Sequence, residues 1–370
     1  MPWRETDIME QKEQFICEML KDAKPFKHLC EEYGISEKTG YKWKNRFYEE
    51  GKLGLQEQSR APKTSPTGLP EQTVIDILGI KYAHPTWGPK KIHAIYQRTH
   101  KRVETPSLSS VKRVLDRANL VKRRRIRKVS PDSSYLRKRT LPSACNDVWA
   151  IDFKGWWKSD GEVCEPLTVR DLYSRYVLEI QLMESKTSEA VRAVLTELFK
   201  KYGLPKAIRS DNGPPFASPN GVLSLTNLSA WWITLGIMPE RIDKGKPGQN
   251  GSLERLHADI ANEVEKKVPG GRFQNQVVLD AWRKEYNFVR PNEAIGMQTP
   301  SDLYLPSERK YLGDFDALEY PPGFLQRKVF GNGMISLFGL LVPIGFSLKS
   351  LTVGLKEIDS GKYHVFFSNS

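Results

Sequence analysis

The sequence predicts a multidomain chain: all-α helix-turn-helix blocks first, an α/β core next, and a small all-β barrel last. Three patterns predict this. Apolar residues recur at helical spacing through the first 121 residues, strand-like and helix-like runs alternate over 146–305, and short apolar runs cut by glycines follow from about residue 324.

Residues 7–50 read as three helices. Ile8, Phe15, Ile16 and Met19 mark the first, and Phe26, Leu29, Cys30 and Tyr33 the second. Gly34 supplies a tight turn and Ser36 an N-cap for the third, whose inner side is Thr39, Trp43 and Phe47. Lys38, Tyr41, Lys42 and Lys44 then point outward, the pattern of a helix-turn-helix that enters DNA; the alternative is a bundle that binds nothing. Residues 53–69 are a Gly/Pro/Ser/Gln-rich linker. A second helical block, helix-turn-helix or winged-helix-like, covers 70–121. Pro89 opens its middle helix and Lys90 and Lys91 are its candidate phosphate contacts; a dimerisation or spacer bundle is the alternative. Residues 122–145 form a basic linker. Its Arg123, Arg124, Arg125 and Arg127 cannot bury themselves and should stay extended until phosphates neutralise them.

The net charge is +13, and its location is informative. Residues 1–140 hold 30 Lys/Arg against 17 Asp/Glu, whereas residues 141–370 hold 27 of each. This asymmetry implies a polyanion docked by the N-terminal region. No apolar run approaches the roughly 18 residues of a membrane span, and the polar N-terminus lacks a signal-peptide core. The expectation is an intracellular protein with no membrane contact. Four cysteines without metal-ligand spacing read as buried thiols.

The core is expected over 146–305, with strands near 147–157, 164–171, 175–183, 206–210 and 237–241 and helices near 188–202, 224–235, 250–267 and 275–289. A linker at 306–323 and the barrel at 324–370 complete the chain. Three acids sit oddly in this core. Asp152 interrupts the strand-like run Val148-Trp-Ala-Ile-Asp-Phe153, where Asp is disfavoured. Asp211 ends another run, though Asp-Asn-Gly is also an ordinary turn signal. Glu254 lies in the first turn of a helix whose buried stripe is Leu253, Leu256, Ile260 and Val264, a place that the helix dipole alone would favour. Brought together, the three would make a site for hard divalent cations. Lys244 and Lys246 lie in the glycine-rich loop before Glu254 and are candidate phosphate grips. His257 reads as packing, and the pairs Trp156-Trp157 and Trp231-Trp232 read as core.

The segments Trp149-Ala-Ile-Asp-Phe153, Ser210-Asp-Asn-Gly213 with Pro215-Phe-Ala-Ser218, and Lys244-Gly-Lys-Pro-Gly-Gln-Asn-Gly-Ser-Leu-Glu-Arg255 resemble signatures of the integrase-core transposases of bacterial insertion sequences, relatives of retroviral integrase in the DDE superfamily. Tyr286-Asn-Phe-Val-Arg-Pro-Asn292 and Thr299-Pro-Ser301 resemble the segment that closes that core. The resemblance spans roughly 146–305. It implies an RNase H-like fold, with Asp152, Asp211 and Glu254 as catalytic and metal-binding acids for two Mg²⁺ ions, Mn²⁺ being able to replace them. It also implies cleavage at the ends of a mobile element and strand transfer into target DNA. The partner would be double-stranded DNA, held by a homodimer or higher oligomer assembled on it. The 42 residues between Asp211 and Glu254 exceed the retroviral spacing; Ser218–Leu225 is where an insertion costs little. The zinc-binding N-terminal element of the retroviral proteins is replaced here by helical blocks. A DNA-binding regulator with a silent core and a simple RNase H-like nuclease are the competing readings.

Overall fold

The computed structural model describes residues 8–57, 68–101, 104–121, 140–218, 222–243, 250–265, 267–313, 318 and 320–368. The chain divides into two compact units, Met1–Gly68 and Leu69–Ser370.

The first unit holds α1 (Ile8–Leu20), α2 (Phe26–Glu32) and α3 (Glu37–Glu50) around Phe15, Ile16, Leu29, Cys30, Trp43 and Leu55. Gly34 turns with φ 64°, and the Ser36 hydroxyl accepts from the Thr39 amide, so the expected turn and cap are both present. Gly40 is required for a different reason. A Cβ there would lie 2.6 Å from Cys30 Sγ, so α2 and α3 cross at closest approach through it.

In the second unit, α4 (Glu71–Ala83), α5 (Pro89–Thr99) and α6 (Leu108–Arg117) enclose Ile77, Trp87, Ile92, Tyr96, Val111 and Leu115. This block is fastened to the α/β core. Thr86 donates to Glu263 at 2.7 Å, His84 meets Glu285 at 2.9 Å, and Arg98 donates to the Met297 carbonyl at 2.9 Å.

The core begins with β1 (Val148–Phe153), the hairpin β2 (Trp157–Ser159) and β3 (Glu162–Cys164), β4 (Pro166–Asp171) and β5 (Val177–Leu182). It continues with α7 (Ser188–Tyr202), β6 (Ala207–Ser210), α8 (Asn227–Thr234), β7 (Met238–Arg241), α9 (Gly251–Glu263), α10 (Arg272–Phe288) and the short α11 (Pro300–Leu303). Five strands form one sheet in the order β5-β4-β1-β6-β7. β1 runs antiparallel to β4 and parallel to β6, and β6 runs parallel to β7. This is the mixed sheet that the three successive strands and the later helix–strand alternation predict, in the RNase H-like order that the resemblance implies. Side chains alternate across the sheet. Trp149, Ile151, Leu167 and Ile208 pack with Val191, Leu195 and Trp232 of α7 and α8. Val148, Ala150, Val177 and Ala207 pack with Leu253, Leu256, Ile260 and Leu279 of α9 and α10. Trp231 and Trp232 are buried as expected.

Three expectations need correction. The strand expected over 147–157 breaks after Phe153, because Gly155 adopts φ 93° and a separate hairpin begins beyond it. Trp157 is buried, but Trp156 is 62% exposed and does not belong to the core. The C-terminal strands are β8 (Leu325–Lys328), β9 (Met334–Leu337), β10 (Leu340–Pro343), β11 (Thr352–Asp359) and β12 (Lys362–Phe366). Among the described residues they form a three-stranded sheet, β12-β11-β8, and a separate β10-β9 pair, not a closed barrel. The strands are short, and left-handed glycines at 333, 339 and 361 turn the chain before a ladder can close. Instead, Arg327 of β8 reaches the Ser336 carbonyl of β9 with its side chain. The module's core of Val329, Ile335, Leu348, Val353 and Leu355 is completed by Leu225 and Ala230, beside and within α8.

Candidate active site

β1 alternates, so Asp152 lies on the side of the sheet that carries Val148 and Ala150, facing α9 and α10. β1 and β6 are paired in parallel with Val148 opposite Ala207 and Ala150 opposite Arg209. That register, continued two residues, sets Asp152 beside Asp211 at the carboxyl ends of both strands. From β1 the strand order runs outward to β4 and β5 on one side and to β6 and β7 on the other, and such topological switch points open into crevices at the carboxyl ends of the strands. Asp211 is shaped locally. Its Oδ1 accepts from the Gly213 amide at 3.2 Å, and the neighbouring Asn212 donates to the Ile242 carbonyl at 2.7 Å, tying the loop to the end of β7. A Cβ at Gly213 would sit 3.0 Å from Asp211 Oδ2, so glycine leaves room for the carboxylate. Glu254 is exposed in the first turn of α9, between the buried Leu253 and Leu256.

Asp152 feels the other two acids. The Asp152 carboxyl is pushed up to about 7 by burial, then by Asp211 and Glu254. Among the described residues, none of the three has Lys or Arg at ion-pair distance (the nearby cations pair with other acids). Nor, among those residues, is any group of three His, Cys, Asp or Glu side chains drawn tightly enough to hold one metal ion.

The frame around them is polar and buried. Thr168 lies opposite Asp152 in the β1–β4 register, and its hydroxyl donates to the Asp152 carbonyl at 3.0 Å and meets His257 Nε2 at 2.8 Å. His257 is thus a hydrogen-bonded link, which a reading as plain packing misses. Arg170 donates to the Ser252 carbonyl at 2.8 Å and to the Tyr286 hydroxyl at 2.7 Å, while Arg175 donates to the Ser252 hydroxyl at 2.9 Å. Two arginines therefore hold the first turn of α9. Farther along that helix, Arg290 bridges Asp259 at 3.1 Å and Glu263 at 2.7 Å. Lys154 pairs with Glu265 at 2.5 Å and lies over the Trp157 ring.

His257 carries a pH signature. Burial, then Lys154 and Arg170, lower its pKa from 6.5 to about 4. Between those values the unfolded chain binds the extra proton, so this contribution to stability is present above about pH 6.5 and is lost as pH falls toward 4. It is worth at most about 3 kcal/mol. Urea unfolding at about pH 7 and about pH 4.5 should show a smaller acid-induced loss in His257→Gln than in the wild type. Equal losses would mean that His257 does not titrate in this window.

Of the residues expected at DNA, Lys38, Tyr41 and Lys42 are exposed on α3, and Lys44 is half-buried with its ammonium 5.6 Å from the Phe26 ring centre. Lys90 is ion-paired to Glu293. Lys91 is half-buried, and burial, then Arg290, lower its pKa to about 8 while Asp259 and Glu263 oppose the shift. The N-terminal turn of α5 therefore faces core acids. Arg123, Arg124, Arg125, Arg127, Lys244 and Lys246 lie outside the described residues. Among those that are described, no helix is long and apolar enough to cross a membrane.

Comparison with known proteins agrees with this architecture. The integrase core domain family matches residues 142–247 and, in a second match, 235–300. A helix-turn-helix domain matches 11–63 and a homeodomain-like domain 39–115. An uncharacterized 31.7 kDa protein of insertion element IS407 from Burkholderia multivorans is 29% identical over 241 residues, covering 63% of this chain and 81% of its own. An uncharacterized 39.2 kDa protein of insertion element IS476 from Xanthomonas euvesicatoria is 25% identical over 264 residues, 70% of this chain and 72% of its own. The solved HTLV-2 integrase catalytic core domain in complex with magnesium covers 44% of this chain and 99% of its own at 18% identity, with a TM-score of 0.34, too loose a likeness to bear on the site. With an integrase core match behind helix-turn-helix-type domains and alignment along most of two insertion-element proteins, the chain is similar to the integrase-type transposases of insertion sequences.

Proposed function

We propose that the protein binds the ends of a mobile DNA element, cuts them and joins them to target DNA, with Asp152, Asp211 and Glu254 holding two Mg²⁺ ions. One observation carries the reading: a half-buried carboxyl, Asp152, burdened by two neighbouring acids and lacking a described cationic partner. Such a carboxyl fits a hard divalent cation, whose added positive charge favours its ionised form. When bound, Mg²⁺, or Mn²⁺ in its place, would offset the charge that gathers on the scissile phosphate and activate the attacking oxygen. The chain's own residues do the rest. Asp152 and Asp211 would act from the carboxyl ends of the central strands β1 and β6, and Glu254 from a helix whose first turn Arg170 and Arg175 hold. Water would first free a 3′-hydroxyl at the element end. That oxygen would then form a P–O bond to a target phosphate as the target's own 3′-oxygen leaves. Lys38, Tyr41, Lys42 and Lys44 would enter a groove from α3. Arg123, Arg124, Arg125, Arg127, Lys244 and Lys246 would neutralise phosphates. Lys90 and Lys91 would join them once freed from the core acids. Two or more copies would assemble on the DNA.

Purified protein incubated with Mg²⁺, labelled element ends and target plasmid should yield joined products. Binding of ends with no cleavage and no joining would leave a DNA-binding regulator instead.

A further inference from the structure

The geometry points to Thr168 and His257 as positioning residues that set the spacing between the acid of β1 and the acid of α9 for a divalent cation. This rests on the proposed metal-binding role of Asp152 and Glu254. The Thr168 side chain is fully buried, and its hydroxyl lies 3.0 Å from the Asp152 carbonyl oxygen and 2.8 Å from His257 Nε2. A hydroxyl has a single proton to give. Thr168 gives it to the Asp152 carbonyl, so His257 must be the donor in the other bond, with its proton on Nε2. His257 comes three residues after Glu254 on α9, which places the two on adjoining turns of one face. Two hydrogen bonds thus connect the main chain of Asp152 to the helical turn that carries Glu254.

Packing alone does not supply this. Leu253, Leu256 and Ile260 seat α9 against the sheet, but apolar contact is non-directional and tolerates small slides. A directed bond at each end of a buried hydroxyl removes that freedom. Mg²⁺ demands near-ideal octahedral geometry, and productive constellations tolerate only about 0.5 Å of error. The Arg170 and Arg175 contacts fix where α9 starts, and the Thr168–His257 link fixes how its first two turns face β1.

The test titrates Mn²⁺ into the full-length chain without DNA, following free Mn²⁺ by its electron paramagnetic resonance signal, with thermal melts in parallel. The wild type should bind, and Asp152→Asn should lose binding. His257→Ala and Thr168→Val should weaken binding by about 10- to 100-fold, the usual range for a support shell around a metal site. His257→Gln, whose amide N–H reaches the same hydroxyl, and Thr168→Ser, which keeps it, should bind like the wild type. If His257→Ala does not melt cooperatively, His257→Asn, too short to reach Thr168, serves in its place. Unchanged affinity in the variants that break the link, with binding still lost in Asp152→Asn, overturns the positioning role and leaves the metal site standing. Equal binding by the wild type and Asp152→Asn, or no binding by either, removes the metal site and the positioning role with it.

Discussion

Asp152→Asn should lower the strand-transfer rate by at least about 10³-fold while leaving affinity for element ends unchanged. Several kcal/mol of transition-state stabilisation are expected from metal ions at a phosphoryl centre, and each 1.36 kcal/mol is about tenfold in rate. Asn keeps the size of the side chain and its place on β1, so the sheet has no reason to move. It removes the carboxylate charge of Asp152 and leaves its main-chain carbonyl free to accept from Thr168. The residues offered for DNA docking sit on other elements, above all on α3 of the separate N-terminal unit. Single-turnover joining of labelled ends, with a gel-shift titration of the same ends, separates the two effects. Joining at the wild-type rate would reject the assignment of Asp152; loss of end binding in step with joining would mean that the variant has simply misfolded.

Arg290→Met should lower the melting temperature by on the order of 10 °C. Arg290 is only 5% exposed and bridges Asp259 and Glu263 on α9, with its guanidinium over the rings of Trp282 and Tyr286. Burial alone would raise the Glu263 carboxyl; Arg290, with Thr86 and Trp282 donating to it, holds it below its ordinary value. Removing one partner of a buried pair typically costs about 3–5 kcal/mol, because the charge left behind has neither water nor counter-ion. Met fills much of the same volume, so the loss would report charge and not a cavity. A melting point within a degree or two of the wild type would show that solvent reaches these carboxylates and that the bridge contributes little.

Much of this arrangement is legible before any coordinates. The run Val148 to Phe153 is strand-like with an acid in it, and alternation alone assigns Asp152 to the side of Val148 and Ala150. Helical spacing of Leu253, Leu256 and Ile260 places Glu254 in a first turn. What the sequence cannot display is side-chain partnership across long separations. Thr168 and His257 are 89 residues apart, and nothing local to either marks the bond. Arg290 and Glu263 meet across a helix boundary in the same way. The β2–β3 hairpin did leave a usable signal. Asp160 and Gly161 both take positive φ, the conformation for which an Asp-Gly turn between strands is suited. Trp156 lies just before β2, in the loop that follows Gly155, and stays exposed, whereas Trp157 opens the strand and is buried. Barrel closure was not legible, because it depends on which distant strand ends meet and not on the strands themselves.

The C-terminal sheets borrow Leu225 and Ala230 to finish their interior. They are therefore not an appendage hung on an independent catalytic body. Exchange of this region between related chains would have to carry matching residues around α8 with it, so the tail and that helix must drift together through descent as a single inherited piece.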